Sequence, residues 1–359
     1  MLTIRSFGLR LLWAAAIFVV VEGLVFRTGV YTPLLEPDSS AGLVQSLLSA
    51  EKRRPSSGLP EVLVIGDSRM GLRARAANEI SSETGYHFSS IVMPGSNARV
   101  WYYMLRDVDA SRRRYSAILI GVEEYDDEDY EDVANREMDI RYVTPLLGWA
   151  DVVPFARSFP TWRMRWEAGR SALFKGYAYR ADFQDFLKNH KYRMKKLEFE
   201  RREAPELRYN QPWSEANVTG LSVDWEKRTI QYPAGSTDSQ KQILNNVLLR
   251  ETTEQTGKRG AYRRLWYGRI AELFRDSPTR LVFLQLPRGP VVRPYPVAHT
   301  TAAARELAAR NPKVVLLPEH AFDTLEQPRF FGDPLHLNQQ GAQEFTRMAA
   351  RAVALALGR

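Results

Sequence analysis

The chain has 359 residues, of which 44% are hydrophobic and 26% charged, and it contains no cysteine. That composition excludes a disordered, collagen-like or many-pass membrane chain, and the missing thiols exclude disulfides, thiolate metal sites and a cysteine nucleophile. Fifty Lys/Arg against 42 Asp/Glu give a formal charge of +8. Such a balance suits nucleic acid, anionic lipid or acidic glycan, but no zinc-finger spacing, RNA-binding aromatic signature or Walker loop favours nucleic acid.

In chain order, Arg5 and Arg10 precede an apolar run from Leu11 to Val21, which Glu22 interrupts before Leu24, Val25 and Phe26. A basic flank before an apolar stretch predicts a transmembrane signal anchor over residues 1–30, with the N-terminus inside and the remainder facing the periplasm or exterior. A cleaved leader needs a small-x-small site, for which Val-Glu-Gly-Leu-Val-Phe is a poor match, and the basic flank argues against the other alternative, a buried soluble helix. Glu22 is expected near the interface, reaching water or headgroups. Residues 31–60, bracketed by Pro33, Pro37 and Pro55, read as a connector with one helix over 41–52.

The texture then changes to short β-branched runs alternating with helical patterns. Strands are expected at 61–66, 86–93, 115–121, 280–286 and 313–317, with helices at 72–84, 100–110, 300–310 and 338–357. Continuous apolar runs of this length suit strands buried on both faces of a parallel sheet, and the alternation predicts an α/β domain built from 61–125 and 278–359. Residues 126–277 break the rhythm and read as a helical insertion or cap between strands three and four.

Ligands in open α/β sheets bind beyond the carboxyl ends of the strands, so the residues after each strand carry the candidates. Gly66-Asp67-Ser68-Arg69 follows the first. A serine on this turn exposes its hydroxyl at the sheet rim beside helix amides, although Asp67 or Ser68 could equally cap the next helix. Arg69 is a candidate for steering an acidic substrate, or for pairing with an acid near Asp67. Pro94-Gly95-Ser96-Asn97 follows the second strand, where the Gly95 amide could donate to an oxyanion. Asp333-Pro-Leu-His336 follows the fifth, at a spacing that lets the carboxylate hold the imidazole. His336 alone of the five histidines has that pattern, and His87, His190, His299 and His320 read as packing or surface residues.

Together these blocks resemble the SGNH (GDSL-like) hydrolase and acyltransferase superfamily. Gly66-Asp67-Ser68 resembles its first block, Gly95 the glycine of its second, and Asp333-x-x-His336 with the trailing Leu-Asn-x-x-Gly-Ala its last. The resemblance implies a three-layer, flavodoxin-like sandwich around a parallel five-stranded sheet, a Ser68-His336-Asp333 triad, an oxyanion hole from the Ser68 and Gly95 amides, and no cofactor or metal. One block departs: the usual Gly-x-Asn-Asp is Gly121-Val122-Glu123-Glu124 here, and an ionised carboxylate cannot donate to an oxyanion. Three alternatives stay open: Asn97 stands in for it as donor, the two amides suffice, or catalysis is impaired. Membrane-anchored members lacking this Asn are similar to alginate O-acetyltransferase-type and D-alanyl transfer proteins. That likeness implies O-acyl transfer to an extracytoplasmic glycan at the inner membrane, with a membrane-bound O-acyltransferase partner delivering the acyl group. An exported esterase or deacetylase and a non-catalytic glycan-binding module are the alternatives.

Two further segments have plainer readings. Eight acids lie between Glu123 and Asp132, without calcium-loop spacing, and read as a solvated acidic loop. From Arg157 to Arg208, fourteen Lys/Arg face seven Asp/Glu among interleaved aromatics. That mixture suits a helical subdomain, sugar stacking or an anionic bilayer surface. The sequon at Asn217 carries no weight.

Overall fold

The computed structural model describes residues 4–122, 133–202, 218–249, 257–292 and 302–358. The chain divides into two compact units, Met1–Arg53 with Glu131–Glu206, and Arg54–Tyr130 with Leu207–Arg359. The first unit opens with α1 (Ile4–Val21), a π-helical stretch Glu22–Arg27, and α2 (Ser40–Arg53). The second begins with β1 (Glu61–Ile65), a 3-10 turn at Ser68–Met70, α3 (Ala74–Asn78), α4 (Ser81–Thr84), β2 (His87–Ser90), α5 (Ala98–Val108) and β3 (Ala117–Val122). The chain then returns to the first unit for α6 (Val133–Val143), α7 (Val152–Arg157), α8 (Trp162–Leu173), α9 (Lys175–Ala178) and α10 (Arg180–Arg202). It finishes in the second unit with β4 (Ser222–Asp224), β5 (Thr229–Gln231), α11 (Asp238–Leu248), α12 (Gly257–Leu273), β6 (Arg280–Gln285), α13 (Ala302–Arg310), β7 (Val314–Leu316) and α14 (Gln339–Ala356).

The five expected strands form one parallel sheet in the order β2-β1-β3-β6-β7. β1 and β3 are buried along their whole length, as their unbroken apolar sequences require of strands covered on both faces. The five strands of this sheet run the same way, so Ile65, Ser90, Val122, Gln285 and Leu316 all end at one rim. The helix expected over 72–84 is divided into α3 and α4 at Ile80, whose backbone leaves the helical region (φ −109°, ψ 20°), and the Asn78 side chain at the end of α3 turns to β2. Its Oδ1 accepts from Phe88 N at 2.7 Å and its Nδ2 donates to Phe88 O at 2.9 Å. β2 is an edge strand, and Asn78 satisfies the outward backbone groups there.

The expected insertion over 126–277 does not stay together. Val218, Leu221, Leu244 and Leu248 join the core around the sheet, bringing the β4–β5 hairpin and α11 into that unit. Residues 131–206 instead group with the N-terminal segment. The expected connector over 31–60 is likewise built into a core: Tyr31 and Leu35 are buried with Phe26 and Tyr179. A charged cluster closes this packing. Arg193, 1% exposed, pairs with Glu36 at 2.7 Å, Asp185 at 2.7 Å and Asp182 at 3.2 Å, and donates to Leu34 O at 2.9 Å. Tyr31 Oη donates to Asp182, and Lys196 bonds Glu36 and Asp38. Removing one member of a buried charge network strands the rest. Arg193→Ala is therefore expected to cost about 3 kcal/mol in this unit and to speed hydrogen exchange of the α10 amides. Unchanged exchange would mean that the acids find other partners.

The expectation of a transmembrane helix over 1–30 is not met in that form. Among the described residues, no helix is long and apolar enough to cross a membrane. α1 spends its early turns on Arg5, Ser6 and Arg10, and the apolar run continues into the π-helical stretch after Val21. Glu22 does not reach for water. It is buried, accepting from Lys175 N at 2.6 Å and Gly176 N at 2.8 Å.

Candidate active site

β1 delivers the chain to Gly66, where it must turn sharply under Met70. A Cβ on Gly66 would lie 2.9 Å from Met70 Cβ, and one on Gly121 in β3 would lie 2.8 Å from Met70 Sδ. Both glycines leave room for the Met70 side chain, which seats the turn on the sheet. Asp67 caps that turn, its Oδ1 accepting from Arg69 N at 2.9 Å. Gly71 ends it in the left-handed region at φ 54°, which favours glycine. The two readings of the tripeptide are thus compatible: Asp67 is the cap, and Ser68 occupies the first position of the turn.

Ser68 Oγ lies 2.9 Å from His336 Nε2. On the other side of the ring, His336 Nδ1 lies 2.8 Å from Asp333 Oδ2 and 3.0 Å from Oδ1. Asp333 is 5% exposed, and its Oδ1 also accepts from the amides of Leu335 at 2.7 Å and His336 at 2.8 Å. Burial alone would raise this carboxyl, but the hydrogen bonds from His336 and those amides hold it below the usual carboxylate range. An ionised Asp333 can only accept, so Nδ1 carries the proton and Nε2 presents a lone pair to the Ser68 hydroxyl. The three residues thus form a continuous hydrogen-bonded chain from Ser68 Oγ to a buried carboxylate.

The loop carrying Asp333 and His336 is held by its own backbone. Phe331 and Leu337 form an antiparallel bridge, and Gly332 N donates to His336 O at 2.9 Å. Asn338 caps α14, its Oδ1 accepting from Gly341 N at 2.9 Å while its Nδ2 donates to Arg329 O at 2.7 Å. A Cβ on Gly341 would fall 2.2 Å from Phe330 O. In an ordinary helix Gly→Ala gains up to about 1 kcal/mol. Here Gly341→Ala is expected to lose about 3 kcal/mol instead, and to lower the thermal midpoint. A gain in stability would contradict the close approach.

The loop after β2 is laced to the serine turn. Met93 N donates to Gly66 O at 2.9 Å. Ser96 Oγ donates to Met93 O at 2.7 Å, has Gly66 O within 3.3 Å, and accepts from Trp101 Nε1 at 2.7 Å. Gly95 takes φ 64° between them. Asn97 caps α5, its Oδ1 accepting from Arg99 N at 3.2 Å and Val100 N at 3.5 Å. That role engages the acceptor end of its amide group, whereas an oxyanion would need the donor end. Ser96 was not singled out in the sequence. A serine beside a turn glycine carries no distinctive signal, and its role appears only once the two loops are adjacent.

Arg69 is 6% exposed and does not face outward. Its Nη2 donates to Pro287 O at 3.3 Å and Arg288 O at 3.2 Å, tying the serine turn to the segment after β6. Arg288 is held in turn by Glu326, through Nε at 2.8 Å and Nη2 at 2.6 Å. Gly289 then passes the Asp333 loop so closely that a Cβ would lie 3.1 Å from Pro334 O. The buried setting of Asp67 and Arg69 fits positioning of Ser68 rather than direct substrate contact.

Gly121 and Val122 complete β3, while Glu123, Glu124 and the rest of the acidic segment to Asp132 lie outside the described residues, as do Asn217 and His299. Among the described residues, no group of three or more His, Asp or Glu side chains is placed to hold a metal ion. His87 contacts Asn78 and Arg54, and His320 pairs with Asp323 at 2.8 Å on the surface. No protein-family model matches the chain, and no curated protein matches it.

Proposed function

We propose that this chain is a serine-dependent O-acyltransferase of the SGNH type, acting on an extracytoplasmic glycan. The observation that carries the reading is the hydrogen-bonded path from Ser68 Oγ through His336 to Asp333. Ser68 Oγ attacks the carbonyl of an acyl donor while His336 Nε2 takes its proton, and Asp333 stabilises the imidazolium. The negative charge developing on the carbonyl oxygen is met by the amides of Ser68 and Gly95. Collapse expels the donor's leaving group, which recovers the proton from His336, and leaves an ester on Ser68. A glycan hydroxyl then attacks that ester, His336 takes the hydroxyl proton, and the proton returns to Ser68 as the acylated sugar departs.

The missing third-block Asn leaves the oxyanion with fewer donors. Losing one such donor typically costs about 3 kcal/mol of barrier, which lowers a rate without ending it. That cost is the same for sugar and for water, and a sugar held in place beside the ester gains over water by positioning. This favours transfer. A membrane-bound O-acyltransferase partner is the proposed source of the acyl group.

Membrane attachment belongs to the same proposal. Leu12, Trp13, Ile17, Phe18, Val19 and Val20 of α1 are all 49–69% exposed, an apolar surface that lipid would cover. In this reading α1 and the π-helical stretch that continues it to Arg27 cross the bilayer together, with Arg5 and Arg10 keeping the N-terminus inside and the remainder of the chain at the periplasmic or outer face of the inner membrane.

The test is acceptor dependence. The detergent-solubilised full chain, given an activated acetyl ester, is expected to turn over slowly alone and several-fold faster with an acceptor oligosaccharide, forming acetylated sugar. Fast turnover to acetate, unchanged by any sugar, favours the exported esterase reading.

A further inference from the structure

We propose that the outward face of α8, with Trp149 beside it, lies in the headgroup layer of an anionic phospholipid bilayer. The inference rests on the reading of α1 as a membrane anchor and adds a second contact surface to it. On α8, Met164, Ala168, Ser171 and Ala172 face the interior of the unit. Trp162, Trp166 and Leu173 fall on the opposite stripe at helical spacing, and the two tryptophans are 77% and 61% exposed. Large exposed aromatics on one stripe call for a covering surface.

The position of this stripe identifies the cover. Phe174, directly after α8, meets Phe18 of α1 with ring centroids 5.6 Å apart. Phe18 lies inside the apolar run, three residues before its end at Val21. The joint between α8 and α9 therefore sits at the depth of the outer end of α1. Further bonds fix it there: Arg27 Nη2 donates to Leu173 O at 2.7 Å and also to Ala172 O, and Glu22 holds the amides of Lys175 and Gly176. The Arg27 guanidinium lies over the ring of Trp149, 3.9 Å from its centroid, and that ring is itself exposed. From Leu173, Trp166 and Trp162 extend the apolar surface away by about 10 and 16 Å at the helical rise.

The chemistry of the surroundings selects the headgroup layer of an anionic bilayer. Tryptophan concentrates at membrane interfaces, where an apolar ring with one polar edge is satisfied. Between residues 157 and 180 there are six Lys/Arg and one acid, and Arg157, Arg163 and Arg165 are exposed around the stripe. Each such cation near an anionic surface adds favourable attraction. A neutral or acidic rim would have pointed to a protein partner instead.

The absence of native cysteine makes the test direct, since a single introduced cysteine carries a single fluorophore. Trp162→Cys, Trp166→Cys, Val19→Cys and Glu344→Cys would each be labelled in the full chain, in vesicles of phosphatidylcholine with phosphatidylglycerol. Labels at 162 and 166 are expected to be quenched by lipid-borne nitroxide, and to be several-fold less quenched by aqueous iodide than the label at 344. Replacing phosphatidylglycerol by phosphatidylcholine is expected to restore much of the iodide quenching at 162 and 166, but not at 19. If 19 is shielded while 162 and 166 are as open as 344, the face is free for a protein and the proposal is overturned, with the anchor intact. If 19 is also open, the anchor reading falls and this inference falls with it. Equal shielding in phosphatidylcholine alone overturns the preference for anionic lipid.

Discussion

Ser68→Ala is expected to lower acyl transfer on the order of 10⁵-fold, to the residual level that binding and oxyanion donors alone support, without changing the fold. The hydroxyl makes one side-chain bond, to His336 Nε2, and the turn that carries it is built by other groups. Asp67 caps it, Met70 fills the space left by Gly66 and Gly121, and Gly71 ends it. A methyl group in place of the hydroxyl disturbs none of these. Acyl transfer and ester hydrolysis should therefore be lost together, with the thermal midpoint unchanged. Retention of both activities would show that catalysis does not pass through this serine.

Asp333→Asn is the second large effect, expected at about 10⁴-fold in turnover. The side-chain oxygen that accepts from Leu335 N and His336 N can be retained by the amide, so the loop keeps its shape. The amide nitrogen cannot accept from the Nδ1 proton, and the ring is driven toward the tautomer that presents a proton, not a lone pair, to Ser68. The signature is a loss of turnover with little change in substrate affinity, whereas a purely structural role would lower stability in proportion. A variant with normal turnover would show that His336 needs no carboxylate here.

The Ser68 turn was legible in the sequence because it follows a strand whose own signal is strong, in a sheet whose central strands are equally clear. Glu61–Ile65, Ala117–Val122 and Arg280–Gln285 are short apolar runs bounded by turn residues, and such runs have few alternatives to a buried parallel sheet. β2 and β7 pair in parallel with the same sheet, so the chain after them starts from the rim that carries Ser68, and the hydrogen bond from Ser68 to His336 shows that the last loop returns there. The trailing Asn338 and Gly341 also make local sense, as a cap and as a glycine forced by the carbonyl of Phe330.

What the sequence did not reveal depends on contacts between distant residues. Glu22 interrupts an apolar run, which suggests an interfacial carboxylate, but its partners are amides more than 150 positions away. Residues 31–38 are rich in turn formers and read as a connector. Their burial depends on Tyr31 and on Arg193 of α10, which no local pattern links. The division of 126–277 between two units has the same cause, because Val218 and Leu244 reveal their destination only by packing against the sheet. Arg69 looked available to substrate beside the nucleophile, and its occupation by the carbonyls of Pro287 and Arg288 is likewise long-range.

The most direct measurement is the mass and position of an acyl group trapped on the full chain. The protein would be exposed briefly to an activated acetyl ester without acceptor, quenched in acid, digested and mapped. The account predicts one acetyl group, on the peptide containing Ser68, discharged when oligosaccharide is added before the quench and absent in Ser68→Ala. An acetyl group found elsewhere with Ser68 unmodified, or none on a folded protein that still transfers acetyl to sugar, would contradict the acyl-enzyme at the centre of the account.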